Sequence, residues 1–147
     1  MYAKILVPLD GSGRAERILP HVEQIALNFK SEVIFLRVID PYAYVPGATA
    51  DTPQSYLDTY QHVQKDAQAY IQALQGEYRQ KGIKARMILE SGPIVSKILQ
   101  IAESEDVDLI AMASHGRSGL ARMFYGSVAS GVLHSADRPL LLVRATT

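Results

Sequence analysis

Two short stretches of the chain combine the residue types that hold an anion or a sugar. One is Val7-Pro8-Leu9-Asp10-Gly11-Ser12-Gly13. The other is Ala113-Ser114-His115-Gly116-Arg117-Ser118-Gly119, followed a few residues later by Gly126-Ser127. Glycine adopts positive φ and lets the main chain approach a ligand closely. Successive main-chain N–H groups in such a loop form a nest for an anion. Gly126-Ser127 reads as a helix start, which adds unpaired N–H donors and the positive end of the helix dipole. Ser127 fits two roles there, helix cap or ligand to a phosphate oxygen. Arg117 and Arg122 are near enough in sequence to assist a phosphate. Asp10 also has two readings: a turn residue ahead of the next helix, or an acceptor for ribose hydroxyls or a metal ion. The plain alternative for the second stretch is a glycine-rich loop followed by an ordinary serine cap.

Several familiar chemistries are excluded. Gly11-Ser12-Gly13-Arg14-Ala15-Glu16 imitates a dinucleotide fingerprint, but Glu16 stands where the third glycine belongs and Asp10 directly precedes the first. Two carboxylates there would oppose a pyrophosphate. No P-loop and no G-x-S-x-G elbow occurs. His115 is either a loop histidine or a general base, and no partnered nucleophile accompanies it. The chain has no cysteine, which removes disulfides, thiolate catalysis and sulfur-ligated zinc. Its four histidines lack paired ligand spacing.

The elements that must position these residues are legible as apolar periodicity. Five short runs, Lys4-Leu9, Val33-Ile39, Ala85-Leu89, Asp108-Ala113 and Leu140-Val143, read as strands. Between them lie helical stripes: Ala15 to Phe29, Tyr56 to Tyr78, Ile94 to Ala102, and a shorter one from Val128 to Ala136. Gly82 closes the second helix, Gly92-Pro93 opens the third and Pro139 starts the last strand. Strict alternation of strand and helix predicts a doubly wound α/β domain with a parallel sheet covered on both faces, here one domain over residues 1–147. In such sheets ligands sit at the carboxyl ends of the strands, where the winding reverses. The irregular stretch Pro41–Pro53, with Tyr42, Tyr44, Pro46 and Gly47, is either a surface loop or a flap over a ligand.

Lys84, Arg86 and Glu90 make the third strand read as a solvated edge. Leu140, Leu141, Leu142 and Val143 carry no such protection. They are either central or an edge that pairs with a second copy about a two-fold axis, and a homodimer is the expectation. The 147 residues hold 15 Lys+Arg and 15 Asp+Glu, and this balance predicts neither nucleic acid nor an anionic membrane as the main partner. No apolar run approaches the roughly 18 residues that a membrane span needs, and no leader pattern opens the chain, so the expected location is cytoplasmic.

Taken together, Ile5-Leu6-Val7-Pro8-Leu9-Asp10-Gly11-Ser12, Leu36-Arg37-Val38-Ile39, Asp108 to Gly119, Gly126-Ser127-Val128-Ala129 and Arg138-Pro139-Leu140-Leu141-Leu142-Val143-Arg144 resemble the universal stress protein family over essentially the whole chain. The resemblance implies five parallel strands in the order 3-2-1-4-5, which sets the ends of the first and fourth strands side by side. Its ATP-binding branch carries a glycine, two residues, a glycine, nine residues, then glycine and Ser or Thr. Gly116, Arg117 to Tyr125, and Gly126-Ser127 match, whereas Ala113 replaces the first glycine. By this resemblance ATP or another adenine nucleotide, with Mg as its candidate metal, would be held by Pro8, Leu9, Asp10, Val38, Ala113, His115, Gly116, Arg117, Gly119, Gly126, Ser127 and Val128. Asp10 would meet the ribose, and Val38 would offer backbone groups to adenine. Gly116, Gly126, Ser127 and Val128 would hold phosphates. The resemblance also implies dimerisation through the last strand. With no water-activating base evident, the implied activity is binding coupled to stress signalling, with at most weak ATP hydrolysis. A non-nucleotide signalling module of the same family is the alternative that Ala113 favours. A phosphoacceptor domain lacks its acceptor Asp, because the third strand ends Leu89-Glu90-Ser91.

Overall fold

The computed structural model describes residues 1–41, 53–116 and 126–146. Arg117, Gly119 and Arg122 therefore lie outside the described residues, as does most of the irregular stretch after Pro41. The elements alternate in chain order: β1 (Lys4–Pro8), a 3-10 turn (Ala15–Ile18), α1 (Leu19–Phe29), β2 (Glu32–Ile39), α2 (Pro53–Gln80), β3 (Lys84–Ser91), α3 (Ile94–Ser104), β4 (Leu109–Gly116), α4 (Ser127–Ser135) and β5 (Leu140–Thr146). All sheet pairings are parallel and the order is β3-β2-β1-β4-β5. This is the three-layer doubly wound sheet that the alternating pattern predicts. Most strands extend a residue or more beyond their apolar runs, because main-chain pairing continues where side chains turn polar.

The central strands are apolar on both faces, and their alternation feeds two separate cores. Ile5, Val7, Val33, Phe35, Leu109 and Ala111 pack with Val22 of α1 and Ile71 and Tyr78 of α2. Leu6, Ile34, Leu36, Ile110 and Met112 pack on the opposite face with Ile98 of α3 and Val132 of α4. Tyr78 anchors the first core: its ring meets Phe35 edge-on at 4.8 Å between centroids, and its hydroxyl donates to the Leu19 carbonyl at 3.0 Å. The aromatic edge-to-face geometry lets a large polar-tipped residue fill the interior with its hydroxyl satisfied. No helix among the described residues is long and apolar enough to cross a membrane.

Charged groups fasten the amino end of the sheet. Arg86 on the edge strand β3 donates to Glu32 of β2 at 3.0 Å and to Glu105 beyond α3 at 2.5 Å. The Lys4 N–H donates to Asp108 Oδ2 at 2.8 Å, and the Lys4 ammonium donates to the Glu105 carbonyl at 3.0 Å. Arg138, mostly buried, donates from one nitrogen to the carbonyls of Ala102 (2.8 Å) and Val107 (3.2 Å), closing the end of α3. A cation there also complements the helix dipole.

Burial alone would raise the Glu32 carboxyl, but hydrogen bonds and charge from Lys84 and Arg86 outweigh it and hold it below its ordinary value of 4.5. A carboxyl more acidic in the folded state adds stability above its unfolded value and loses it as pH falls through the folded one. Glu32→Gln is expected to cost about 1 kcal/mol at pH 7. The gap between the two proteins should close on acidification below 4.5. Chemical denaturation at pH 7 and along an acid series checks this, and a gap that does not narrow as pH falls contradicts it.

Candidate functional site

The site begins where two strands part. β1 pairs with β4 only at Ile5–Leu109 and Leu6–Ile110. Beyond that point β1 stays with β2 through Pro8–Leu36, and the Leu9 N–H reaches the Leu36 carbonyl at 2.9 Å. β4 instead continues with β5 as far as Gly116–Thr146. The gap that opens between the two strand tips holds a crevice of about 120 Å³. Its near wall is Pro8, Leu9 and Asp10 with Leu36, Arg37 and Val38. Its far wall is Met112 and Ala113, and its roof is Ile94 and Ile98 of α3 with Val128 and Ala129 of α4. A larger open groove of about 620 Å³ runs along α2 beside Asp58, His62 and Leu89, away from the point where the winding reverses. The smaller crevice is the better candidate because it has an apolar lining with few polar groups converging on it.

At the tip of β1, Asp10 Oδ1 accepts from the Ser12 N–H at 2.9 Å, Gly11 turns at φ +84°, and Ser12 Oγ accepts from the Ala15 N–H at 3.2 Å. The turn role expected for Asp10 is thus realised, and the residue stays exposed at the mouth of the crevice. The turn leads into the 3-10 segment, so the first helix is regular only from Leu19. Tyr70 of α2 donates to Glu16 Oε1 at 2.6 Å, tying that segment to α2. Burial, then the neighbouring Glu16, raises the Tyr70 hydroxyl well above its ordinary value. A second hollow of about 270 Å³, between Asp10, Arg37, Asp66 and Tyr70, adjoins the crevice.

At the start of α4, Gly126 has φ +82° and ψ 155° and occupies the cap position with no side-chain cap hydrogen bond. Such a backbone conformation favours glycine. Ser127 is the first helical residue, and Gly126 holds the cap position. The first helical bond runs from the Ser130 N–H to the Gly126 carbonyl at 2.9 Å. The amides of Ser127, Val128 and Ala129 therefore precede any intrahelical acceptor.

Of the residues singled out from sequence, Pro8, Leu9, Asp10, Val38, Ala113 and Val128 meet around one crevice. Gly126 and Ser127 immediately precede Val128. His115 and Gly116 end β4, paired with Ala145 and Thr146. Sequence reasoning did not name Ile94, Ile98, Met112 or Ala129 as site residues: it read Ile94 and Ile98 as helical periodicity, and Met112 and Ala129 within the stretches that resemble the family. Their signal is indistinguishable from packing until α3 and α4 are placed. Gly131 was missed too: a Cβ there would lie 2.9 Å and 3.1 Å from the two Cγ atoms of Val95. Its bareness sets how closely the two roof helices approach.

A doubly wound parallel sheet with an apolar crevice at its switch point, an acid on one lip and a helix start on another, is the class of α/β architecture in which ligands sit at the carboxyl ends of the strands. The universal stress protein family model matches residues 1–144, and the chain belongs to the universal stress protein family. It is 31% identical to universal stress protein MJ0577 of Methanocaldococcus jannaschii, over 98% of this chain and 96% of that one. The solved structure of MJ0577 superposes with a TM-score of 0.86, covering 100% of this chain and 99% of that one. Two further structures share the fold at 19% identity each. One is a universal stress protein in complex with cAMP (TM-score 0.67, 99% and 98% covered). The other is that of Archaeoglobus fulgidus in complex with dAMP (TM-score 0.65, 97% and 98% covered).

Because the roof depends on the Gly131–Val95 contact, Gly131→Ala is expected to destabilise by about 1–2 kcal/mol despite alanine's better helix propensity. Val95→Ala in the same chain should recover most of that loss. A double-mutant cycle that finds the two changes additive contradicts the contact's role.

Proposed function

We propose that the protein binds an adenine nucleotide in the crevice between the tips of β1 and β4, and that its role is binding, not turnover. The observation that carries this is the splay of β1 from β4 after Leu6–Ile110, which surrounds one apolar slot with complementary groups. The purine lies between the aliphatic side chains of Val38, Ile94, Ile98 and Met112, next to main chain of β2 that β1 no longer pairs. Asp10, at the mouth, accepts from the ribose hydroxyls. The phosphates run toward Gly116, Gly126, Ser127 and Val128, where unpaired amides and the positive end of α4 favour an anion. His115, Arg117 and Gly119 complete the phosphate loop in this reading. Relatives of the same fold in complex with cAMP and dAMP support the ligand class.

Among the described residues no three acids or histidines cluster to hold a metal. In this reading Mg²⁺ would enter on the phosphates, as it does where a nucleotide supplies most of its ligands. The Ala113 methyl lines the crevice where the family pattern has glycine, and this favours the rival reading of a signalling module that binds no nucleotide. In the primary reading the protein acts in the cytoplasm as a homodimer, with β5 of two copies pairing edge to edge. Order imposed on the crevice rim by nucleotide alters contacts with a downstream partner.

Calorimetric titration with ATP tests the site. Gly126→Val, whose β-branched side chain cannot adopt the observed φ of +82° without strain, should lower affinity by at least about tenfold with an unchanged far-UV dichroism spectrum. Unchanged affinity rejects the phosphate-loop assignment. Wild-type protein that binds no adenine nucleotide, either as purified or on titration, favours the rival module. For the assembly, Leu142→Asp should sediment as a monomer and wild type as a dimer, and a monomeric wild type rejects pairing through β5.

A further inference from the structure

Arg37 borders both the crevice and the hollow of about 270 Å³ that adjoins it, and Asp10 is the other residue the two share. On β2 its side chain follows Phe35 at the next alternation, so it stands on the face that α2 covers, while Leu36 and Val38 enter the opposite core. It is half-buried there and enters none of the ion pairs among the described residues. A guanidinium drawn partly out of water with no carboxylate beside it keeps donors that a ligand can meet. The rest of the hollow limits what that ligand can be. Asp10 and Asp66 present carboxylates to it, and Tyr70 presents a hydroxyl whose proton is already committed to Glu16. Burial and Glu16 dominate the raised Tyr70 hydroxyl, but Asp10 and Arg37 also act on it, in opposite senses, which places both charges around the same space.

We infer that Arg37 and Asp10 together read the two hydroxyls of the ribose, Asp10 accepting from one and Arg37 donating to the other, and that the crevice thereby selects ribonucleotides over deoxyribonucleotides. The charges at the junction exclude other occupants. A second phosphate or a carboxylate would satisfy Arg37 but stand against Asp10 and Asp66. An ammonium would satisfy the acids but stand against Arg37. A cis diol offers a donor and an acceptor on adjacent carbons, which matches an acceptor-only carboxylate beside a donor-only guanidinium. Removing either hydroxyl leaves one charged group without its partner, so each hydroxyl contributes separately. The inference rests on the nucleotide reading above and adds to it a residue outside the glycine pattern and a preference in the sugar.

The test titrates ATP, 2′-deoxy-ATP and 3′-deoxy-ATP by calorimetry into wild type and into Arg37→Met in the full chain, with Arg37→Leu as a second variant that likewise removes the donors. Wild type should bind each deoxy analogue about tenfold more weakly than ATP. In the variant the loss for one analogue should vanish while the loss for the other persists, because only one hydroxyl meets Arg37. Either analogue bound by wild type as tightly as ATP overturns the inference alone, with no variant needed. Both losses intact in the variant also overturn it, because Arg37 then takes no part in the discrimination. Both losses abolished do the same, because that pattern marks a general displacement of the sugar. Wild type that binds none of the three overturns the nucleotide reading, and this inference with it.

Discussion

The parting of β1 from β4 after two paired residues is the constraint on which the rest of the molecule depends. A parallel sheet keeps its strands together by main-chain hydrogen bonds, and each pair that is lost must be compensated. Here the compensation is sideways. β1 keeps its bonds to β2 as far as Pro8–Leu36, and β4 keeps its own to β5 as far as Gly116–Thr146. Only the shared boundary is given up. Because the winding reverses at that boundary, the helices that follow the two strands, α1 and α4, pack on opposite faces of the sheet. The crevice is thus a product of topology before any side chain is considered.

The two ends of the sheet are held by different physics. At the amino end, Lys4, Arg86 and Arg138 donate to carboxylates and to helix-end carbonyls, so loop and helix termini there are satisfied within the protein. At the carboxyl end, among the described residues, α4 starts without a side-chain cap and the Ser114 hydroxyl has no partner. A stable domain cannot leave both ends in that state, since its net stability is a small difference between large terms. Fastening one end with charge-assisted bonds lets the other remain incomplete.

The two edges of the sheet differ in the same way. β3 presents Lys84, Arg86 and Glu90, charges that discourage a further strand, and uses two of them to grip Glu32. β5 presents Leu140, Leu141, Leu142 and Val143, all half-buried, and its outer main chain has no strand beside it among the described residues. An apolar unprotected edge is the natural place for self-association, whereas the charged one is not.

Much of this is legible in the residues alone. The five apolar runs and the helical stripes between them determine the layer order. Glycine, aspartate and serine in Asp10-Gly11-Ser12 determine the turn at the first strand tip. Gly126 marks a backbone conformation that side chains resist. Such features are local, because periodicity and φ preference belong to a few consecutive residues. What the sequence could not determine is which apolar residues line a cavity and which fill a core. Ile98 and Met112 border the crevice and Val132 does not, yet all three read alike, since burial depends on what the opposite helix brings. Gly131 reads as a mere weakness in a helix until Val95 is found against it. The open state of Ser114 likewise depends on the absence of partners from distant parts of the chain. Tertiary structure decided these points because close approach and unmet hydrogen bonds are properties of neighbours far apart in sequence, and no single segment carries them.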